Sequence, residues 1–320
     1  MTTPTDLSPV VVTGGAGAIG AVLARKVAAT GRLVHVIDNL SSGRRARLSD
    51  LEAKGTVQFH QHDLREPAGL TEIFRGASQV WHFAANPNIQ KGTENPRLDL
   101  EHGTLATAHV LEAARHARVP RILFASSSVV YGLPTVFPTP ESYGPLLPQS
   151  QYGASKLASE ALISAYSYSY GIRSWIFRFA NIVGPGMTHG VIYDFLRKLQ
   201  RDPTRLEVLG DGRQAKSYLW VDDCIDAMWL AEERTQEPVN VFNLGTEQQV
   251  PVREIAERVV RAFGGRARIE YTGGAQGWTG DIPQQLLSVA RIHALGWRPR
   301  FDSSAVVDKA IETGRAELGL

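Results

Sequence analysis

The stretch Thr13-Gly14-Gly15-Ala16-Gly17-Ala18-Ile19-Gly20 is the turn from which the fold can be read. A β-branched run, Val10–Thr13, leads into it, and a helical stretch, Ile19–Ala29, leads out. Gly14, Gly17 and Gly20 follow a G-x-x-G-x-x-G spacing. Gly14 allows the tight turn, Gly17 lets backbone approach a pyrophosphate, and Gly20 lets the helix pack on the strand. The helix N-terminus at Ala18 and Ile19 then offers unpaired N–H groups and a partial positive charge to phosphates. A plain strand–helix turn also accommodates such a run, so its context matters. About 20 residues on, Asp38 closes a second strand, where a carboxylate bonds adenosine ribose hydroxyls and repels a 2′-phosphate. That favours NAD over NADP. Asn39, Ser42 and Gly43, just beyond Asp38, are assigned to the same site.

Outward from this turn, short β-branched runs alternate with helical stretches, the rhythm of a parallel sheet covered by helices. Strands are predicted at Val10–Thr13, Leu33–Ile37, Val57–His60, Gln79–Phe83, Arg121–Ala125 and Arg173–Phe177. The clearest helices between them are Ile19–Ala29, Leu100–His116 and Tyr152–Tyr170. The fold class expected is α/β, a doubly wound Rossmann-type sheet over residues 1–180. After Asn181 the rhythm breaks at Gly184-Pro185-Gly186, Gly210-Asp211-Gly212 and Gly273-Gly274, which predicts a smaller C-terminal α/β substrate domain over residues 181–320. Val239–Leu244 reads as a strand that could return to the main sheet.

Composition narrows the function classes. The chain has 320 residues, a net charge of +2 and a 43% hydrophobic fraction, so neither nucleic acid nor membrane is an expected partner. Arg44-Arg45-Ala46-Arg47 is the one dense basic cluster and reads as a solvated loop. A single cysteine, Cys224, excludes an intrachain disulfide and fits a small core residue in a helix. No run approaches ~18 apolar residues, and Met1–Pro9 is polar. A cytoplasmic location is expected, and no metal ligand set is assigned.

Two segments extend the cofactor site. Asp63-Leu64 follows the third strand, where a carboxylate can accept from an adenine amino group or simply end a turn. His82-Phe83-Ala84-Ala85 ends the fourth, and its small residues let backbone lie beside a cofactor; His82 itself is read as a packed strand residue. The chemistry is expected from Tyr152-Gly153-Ala154-Ser155-Lys156, which sets Tyr and Lys on one helical face. A Lys ammonium one turn away, with a positive nicotinamide, favours the phenolate of a Tyr that otherwise ionises near ~10. An ordinary amphipathic helix also produces this spacing. The fifth strand runs out into Ser126-Ser127-Ser128, where a hydroxyl can hold a substrate oxygen or merely terminate a strand.

In one order, the glycine run, Asp38-Asn39-Leu40, the serine-rich strand end, Tyr152 with Lys156, and Arg178-Phe179-Ala180-Asn181 resemble the extended short-chain dehydrogenase/reductase family. The resemblance is to its nucleotide-sugar epimerase and dehydratase group. Val208-Leu209-Gly210-Asp211-Gly212, Val221-Asp222-Asp223, Phe242-Asn243-Leu244-Gly245 and Leu295-Gly296-Trp297-Arg298-Pro299 extend it over almost the whole chain. The segments His189–Phe195 and Gly277-Trp278-Thr279-Gly280-Asp281 look most like the compact UDP-galactose 4-epimerases of that group. The resemblance implies Ser127, Tyr152 and Lys156 as the catalytic set, with Ser127 and Tyr152 also touching substrate. It implies Asn181, Lys216 and Asp281 at the nucleotide diphosphate and its surroundings, and Val191 and Val208 in the nucleotide-base pocket. It also implies a homodimer formed by packing Leu100–His116 and Tyr152–Tyr170 into a four-helix bundle.

Three positions depart from the family pattern. Gly103 stands where an Asn usually touches the cofactor. Gln214-Ala215-Lys216 replaces Gln-x-Arg, a point charge in place of a bidentate fork. Trp278 lies near the place of a familiar Arg before Gly280-Asp281. The function expected is NAD-dependent 4-epimerisation of a nucleotide-linked hexose, UDP-glucose or UDP-galactose or a close relative. A 4,6-dehydratase or uronate decarboxylase commonly carries an acidic residue after its Ser/Thr, where this chain has Ser128-Val129. A 4-ketoreductase and an inactive NAD-sensing scaffold complete the alternatives.

Overall fold

The computed structural model describes residues 7–278 and 280–320; Met1–Asp6 of the polar start and Thr279 of the Gly277–Asp281 segment lie outside the described residues. Seven parallel strands form the main sheet: β1 (Val10–Thr13), β2 (Val34–Asp38), β3 (Val57–Gln61), β4 (Gln79–His82), β5 (Arg121–Ser127), β6 (Arg173–Phe179) and β7 (Val239–Leu244). Their order is β7-β6-β5-β4-β1-β2-β3. Strand order reverses between β1 and β4, which opens a crevice at their carboxyl ends. Every residue of β1 is fully buried, as helices covering both faces require of a central parallel strand. The helix Ala18–Ala28 packs one face through Leu23, Ala24 and Val27, and the helix Ala106–Ala117 packs the other through Val110, Leu111 and Ala114.

Two boundaries move for physical reasons. β5 and β6 run past their predicted ends to Ser127 and Phe179, because both stay paired to the last residue. The helix expected over Leu100–His116 is divided into a short helix at Pro96–Asp99, a π-helical turn at Leu100–Leu105 and an α-helix at Ala106–Ala117. Ser155 Oγ donates to the Asp99 carbonyl at 2.8 Å, so a side chain enters the ladder where the turn widens. The long helix Gln151–Tyr170 starts at Ser150, whose hydroxyl accepts from Gly153 N, and stops at Gly171, whose φ of +71° only glycine adopts freely.

The chain beyond β6 builds smaller layers. Asn181–Val183 pairs with Tyr218–Trp220, Arg205–Val208 with Arg268–Tyr271, and Ala215–Lys216 lies between Val250–Pro251 and Gln284–Gln285. The helices Val191–Arg201, Val252–Ala262 and Ser303–Glu317 share a second core with them. Cys224 is fully buried in the helix Val221–Arg234. Among the described residues, no helix is long and apolar enough to cross a membrane.

Candidate active site

The carboxyl ends of β5 and β6 divide two cavities. Successive side chains on a strand face opposite ways, so Ser126 and Phe179 line one cavity while Ser127 and Ala180 line the other. The first, about 230 Å³, lies over the β1/β4 crevice. Gly14, Gly17, Ala18, Ile19, Gly20, Asp38, Asn39, Ser42, Asp63, Leu64, Phe83, Ala84, Ala85, Tyr152 and Lys156 all line it, as assigned from the sequence. Gly43 does not. It stands behind Asp38, where a Cβ would come 2.7 Å from the carboxylate, so it acts by lacking a side chain.

The glycine turn is built as a cradle for a dinucleotide. Gly14 has φ +68°, and a Cβ there would press 2.7 Å from Ala84 N; a Cβ on Gly20 would collide with the Gly14 carbonyl. Asp38 is fixed over the turn, accepting from Ala16 N at 3.0 Å and Leu40 N at 2.8 Å. Each carboxylate oxygen keeps a further lone pair for a ribose hydroxyl. Asp63 accepts from Asn39 Nδ2 at 3.0 Å, and its hydrogen bond from Arg65 holds its carboxyl far below the usual range. His82 is buried between Thr13 Oγ1 at 2.7 Å and Thr107 Oγ1 at 3.0 Å. Burial first, and the Lys156 charge second, lower it to about 3, so it is a neutral tie beneath the cavity.

The Tyr–Lys pair departs from expectation. Lys156 Nζ donates to the Ala125 carbonyl at 2.6 Å and lies 4.6 Å from the Phe124 ring centroid and 5.7 Å from that of Tyr152. Burial lowers Lys156 to about 8, against the raising influence of Glu160 and Asp99. Burial pushes the Tyr152 phenol well up, and the Asp99 charge adds to it. The groups of the chain therefore keep Tyr152 protonated; lowering it falls to the positive ring of a bound cofactor. Gly103 also finds its reason here. A Cβ there would fall on Ser155 Oγ, so a side chain at 103 would have to displace the serine hydroxyl from the Asp99 carbonyl.

Ser127 sits at the end of β5 over a buried network. Arg178 pairs with Glu160 at 2.7 Å and donates to Tyr131 Oη at 3.0 Å, and Tyr131 donates to Asn243 Oδ1 at 2.8 Å; Ser126 donates to Glu160. A satisfied buried network of this kind holds the strand ends that carry Ser126 and Ser127.

The second cavity, about 120 Å³, brings Ser127, Asn181, Lys216 and Asp281 together with Trp278, Ile89 and Gln285. Lys216 Nζ is 2.6 Å from Asp281 Oδ1, and Asp281 Oδ2 accepts from Gly277 N at 3.1 Å. Asn181 Nδ2 donates to Gln285 Oε1 at 3.3 Å, and Gln285 donates to Ser128 Oγ. Two residues assigned to the nucleotide-base pocket lie outside both cavities. Val208 is fully buried in the second core, paired with Tyr271, and has no surface for a nucleotide base. Val191 opens its helix packed against the same core and lines neither cavity. Sequence reasoning also missed Asn86, His102 and His189 on the first cavity; the third opens the family-like segment His189–Phe195, but its place beside the dinucleotide depends on a loop far along the chain.

A model of the NAD dependent epimerase/dehydratase family matches residues 10–245, which includes the glycine turn, the Tyr–Lys helix and β7. The chain belongs to that family. It is an NAD-dependent family, and the first cavity fits that cofactor. The chain is 30% identical to the UDP-glucose 4-epimerase of Mycolicibacterium smegmatis over 309 residues, 94% of this chain and 96% of that one. A crystal structure of UDP-galactose 4-epimerase superposes with a TM-score of 0.87 at 39% identity, covering 97% and 99% of the two chains. A dTDP-glucose 4,6-dehydratase from Streptomyces venezuelae, crystallised with NAD, superposes with a TM-score of 0.88 at 26% identity over 97% and 98%. The family therefore spans epimerases and dehydratases on one scaffold.

Proposed function

We propose that the chain catalyses NAD-dependent 4-epimerisation of a nucleotide-linked hexose, UDP-glucose or UDP-galactose or a close relative, through a transient 4-keto sugar. Residues 1–180 with β7 would carry the cofactor, and residues 181–320 the nucleotide sugar. NAD held in the first cavity would supply a hydride acceptor for C4 and, once reduced, a hydride donor to the 4-keto carbon. Tyr152 takes the proton of the 4-hydroxyl and returns it, and Ser127 hydrogen-bonds the same oxygen. Lys156, tied to the Ala125 carbonyl, places its charge beside the Tyr152 ring. Asn181 and Lys216 hold the diphosphate.

One observation carries the choice of epimerisation. Among the described residues lining the second cavity, the sole carboxyl group is Asp281, and it is tied to Lys216 and Gly277. Ser128, next after Ser127, binds Gln285. Among the described residues of that cavity no carboxyl group is free to drive elimination or decarboxylation after oxidation, so return of the hydride is the simplest fate of the ketone. UDP-glucose, UDP-galactose and their N-acetyl forms, each with catalytic NAD, are to be followed by NMR. An epimer pair should reach the same ratio from both sides, with deuterium at C4 retained, and Tyr152→Phe should slow turnover by a factor on the order of 10² or more. A 4-keto-6-deoxy product, a lost carbon or stoichiometric NADH would each reject the reading.

A homodimer is part of this proposal. Leu100, Leu105, Tyr168 and Tyr170 are exposed on the two helical stretches expected to pair, and Tyr166 Oη bonds Glu112 between them. Such exposed apolar groups suit a helix-bundle interface, and light scattering at micromolar concentration tests it by mass.

A further inference from the structure

Arg47 belongs to the basic stretch expected to be a solvated loop. Arg44 and Arg45 are indeed exposed, but Arg47 is half-buried, and its guanidinium joins two distant carbonyls. Nη1 donates to Ala16 O at 2.8 Å, and Nη2 donates to Gly186 O at 2.7 Å. Ala16 is in the glycine turn. Gly186 is in the segment Gly184–Gly190, which links Asn181–Val183 to the helix Val191–Arg201. A little further along that segment, His189 lines the dinucleotide cavity together with Gly17, Ile19 and Lys156.

The segment turns at two glycines and is held from both sides. Gly186 and Gly190 have φ of +78° and +95°, a region that glycine alone enters freely. A Cβ on Gly186 would come 2.9 Å from the Arg47 guanidinium, so that glycine also admits the fork. The Gly186 N–H donates to Glu317 Oε1 at 2.7 Å, at the end of the last helix. A planar fork holds the two carbonyls with separate nitrogens in fixed directions, which the single nitrogen of a Lys ammonium does less well.

We propose that Gly184–Gly190 is a strap across the dinucleotide cavity and that Arg47 is the residue that latches it. The latched strap keeps NAD resident through many turnovers. This role does not depend on which sugar is bound or on which fate follows oxidation. It concerns the cofactor alone, so its failure is separable from failure of the epimerase reading.

The test is cofactor release rather than turnover. Protein loaded with NADH is mixed with excess NAD, and the fall in bound NADH fluorescence gives the release rate. Arg47→Ala should release NADH about tenfold faster or more, and Arg47→Lys should fall between it and the native chain. Glu317→Gln, which loosens the strap from its other end and leaves the glycine turn alone, should quicken release about threefold. Melting of the nucleotide-free proteins is measured alongside. A lower melting temperature with release within about twofold of native would reduce Arg47 to a loop pin and overturn the latch. If Arg47→Ala does not fold, unchanged release in both Arg47→Lys and Glu317→Gln overturns it equally.

Discussion

The dinucleotide cavity is shaped by glycines and by main-chain donors around Asp38, whereas the second cavity is built from side chains carried by distant short strands and loops. Gly14 and Gly20 act through what they lack, and Asp38 is fixed by two main-chain donors of its own turn. Lys216, Asn181 and Gln285 instead converge on the second cavity from separate short strands, and Asp281 from the loop before the last of them, and much of their bonding is to one another. A site made of backbone tolerates almost no change in shape. One made of paired side chains can be retuned charge by charge without disturbing the fold. The first therefore fits the cofactor, and under the proposed function the second would select what is oxidised.

The sharpest way to break this contrast is Gly20→Ala. The added methyl collides with the Gly14 carbonyl, and backbone cannot yield as a side-chain tip can. NAD affinity should fall by about a hundredfold or more, with about 1–3 kcal/mol lost from nucleotide-free stability. Calorimetric titration with NAD checks the first and denaturant unfolding the second. Native affinity in this variant would mean that the turn has slack and that shape is not what selects the cofactor.

Acid should weaken the dinucleotide side through His82. Burial holds it at about 3 in the folded chain, against an ordinary value near 6.5, so folding favours the neutral ring. A depressed histidine contributes stability that is complete above the unfolded value and is lost as pH falls below it. From about pH 6.5 downward each pH unit should then remove about 1.4 kcal/mol for this group. His35 and His60, lowered by burial, add in the same direction. Asp63 and Glu112 are depressed carboxylates whose contributions vanish only below their own ordinary range near 4. Asp99 and Glu141, raised by burial, oppose the histidine trend as pH falls, so the His82 share is read from its own variant. Chemical denaturation from about pH 6.5 to about pH 5 should show a shallower slope in His82→Gln than in the native chain. Equal slopes would mean that water reaches His82 and that the cavity floor is softer than its hydrogen bonds imply.

The same contrast explains what could be read from the sequence. Strands, glycine turn and cofactor residues were legible because they depend on local rules: alternation, turn geometry and a carboxylate at a strand end. Nearly every residue assigned to the dinucleotide therefore lines its cavity, and the exception, Gly43, works by contact with Asp38. The second cavity was less legible. Val208 sits in a segment of family-like sequence, yet its strand pairing turns it into the core. Lys216 was assigned as a cation for the diphosphate, but its partner Asp281 lies 65 residues away, and nothing local links them. His189 and Arg47 escaped for the same reason, since their roles depend on a loop crossing from one part of the chain to another.

The smallest expected effects are at that ion pair, and they test whether the second cavity is tuned by charge. Lys216 is about a quarter exposed and Asp281 is buried, so the pair is only partly screened. In this state the cavity carries one cation and one anion, and a diphosphate must compete with the Asp281 carboxylate for the ammonium. Lys216→Ala removes the donor and should raise KM about tenfold. Asp281→Asn keeps an acceptor for Gly277 N but removes the competing charge, so KM should fall about threefold. Neither should change kcat by more than about twofold, because a phosphate contact remote from C4 serves ground and transition states alike. Opposite shifts in KM from the two variants would establish competition for one cation. Parallel increases would instead make the intact pair the structural support of the Gly277–Asp281 loop, and a fall in kcat with KM unchanged would move Lys216 into the chemistry.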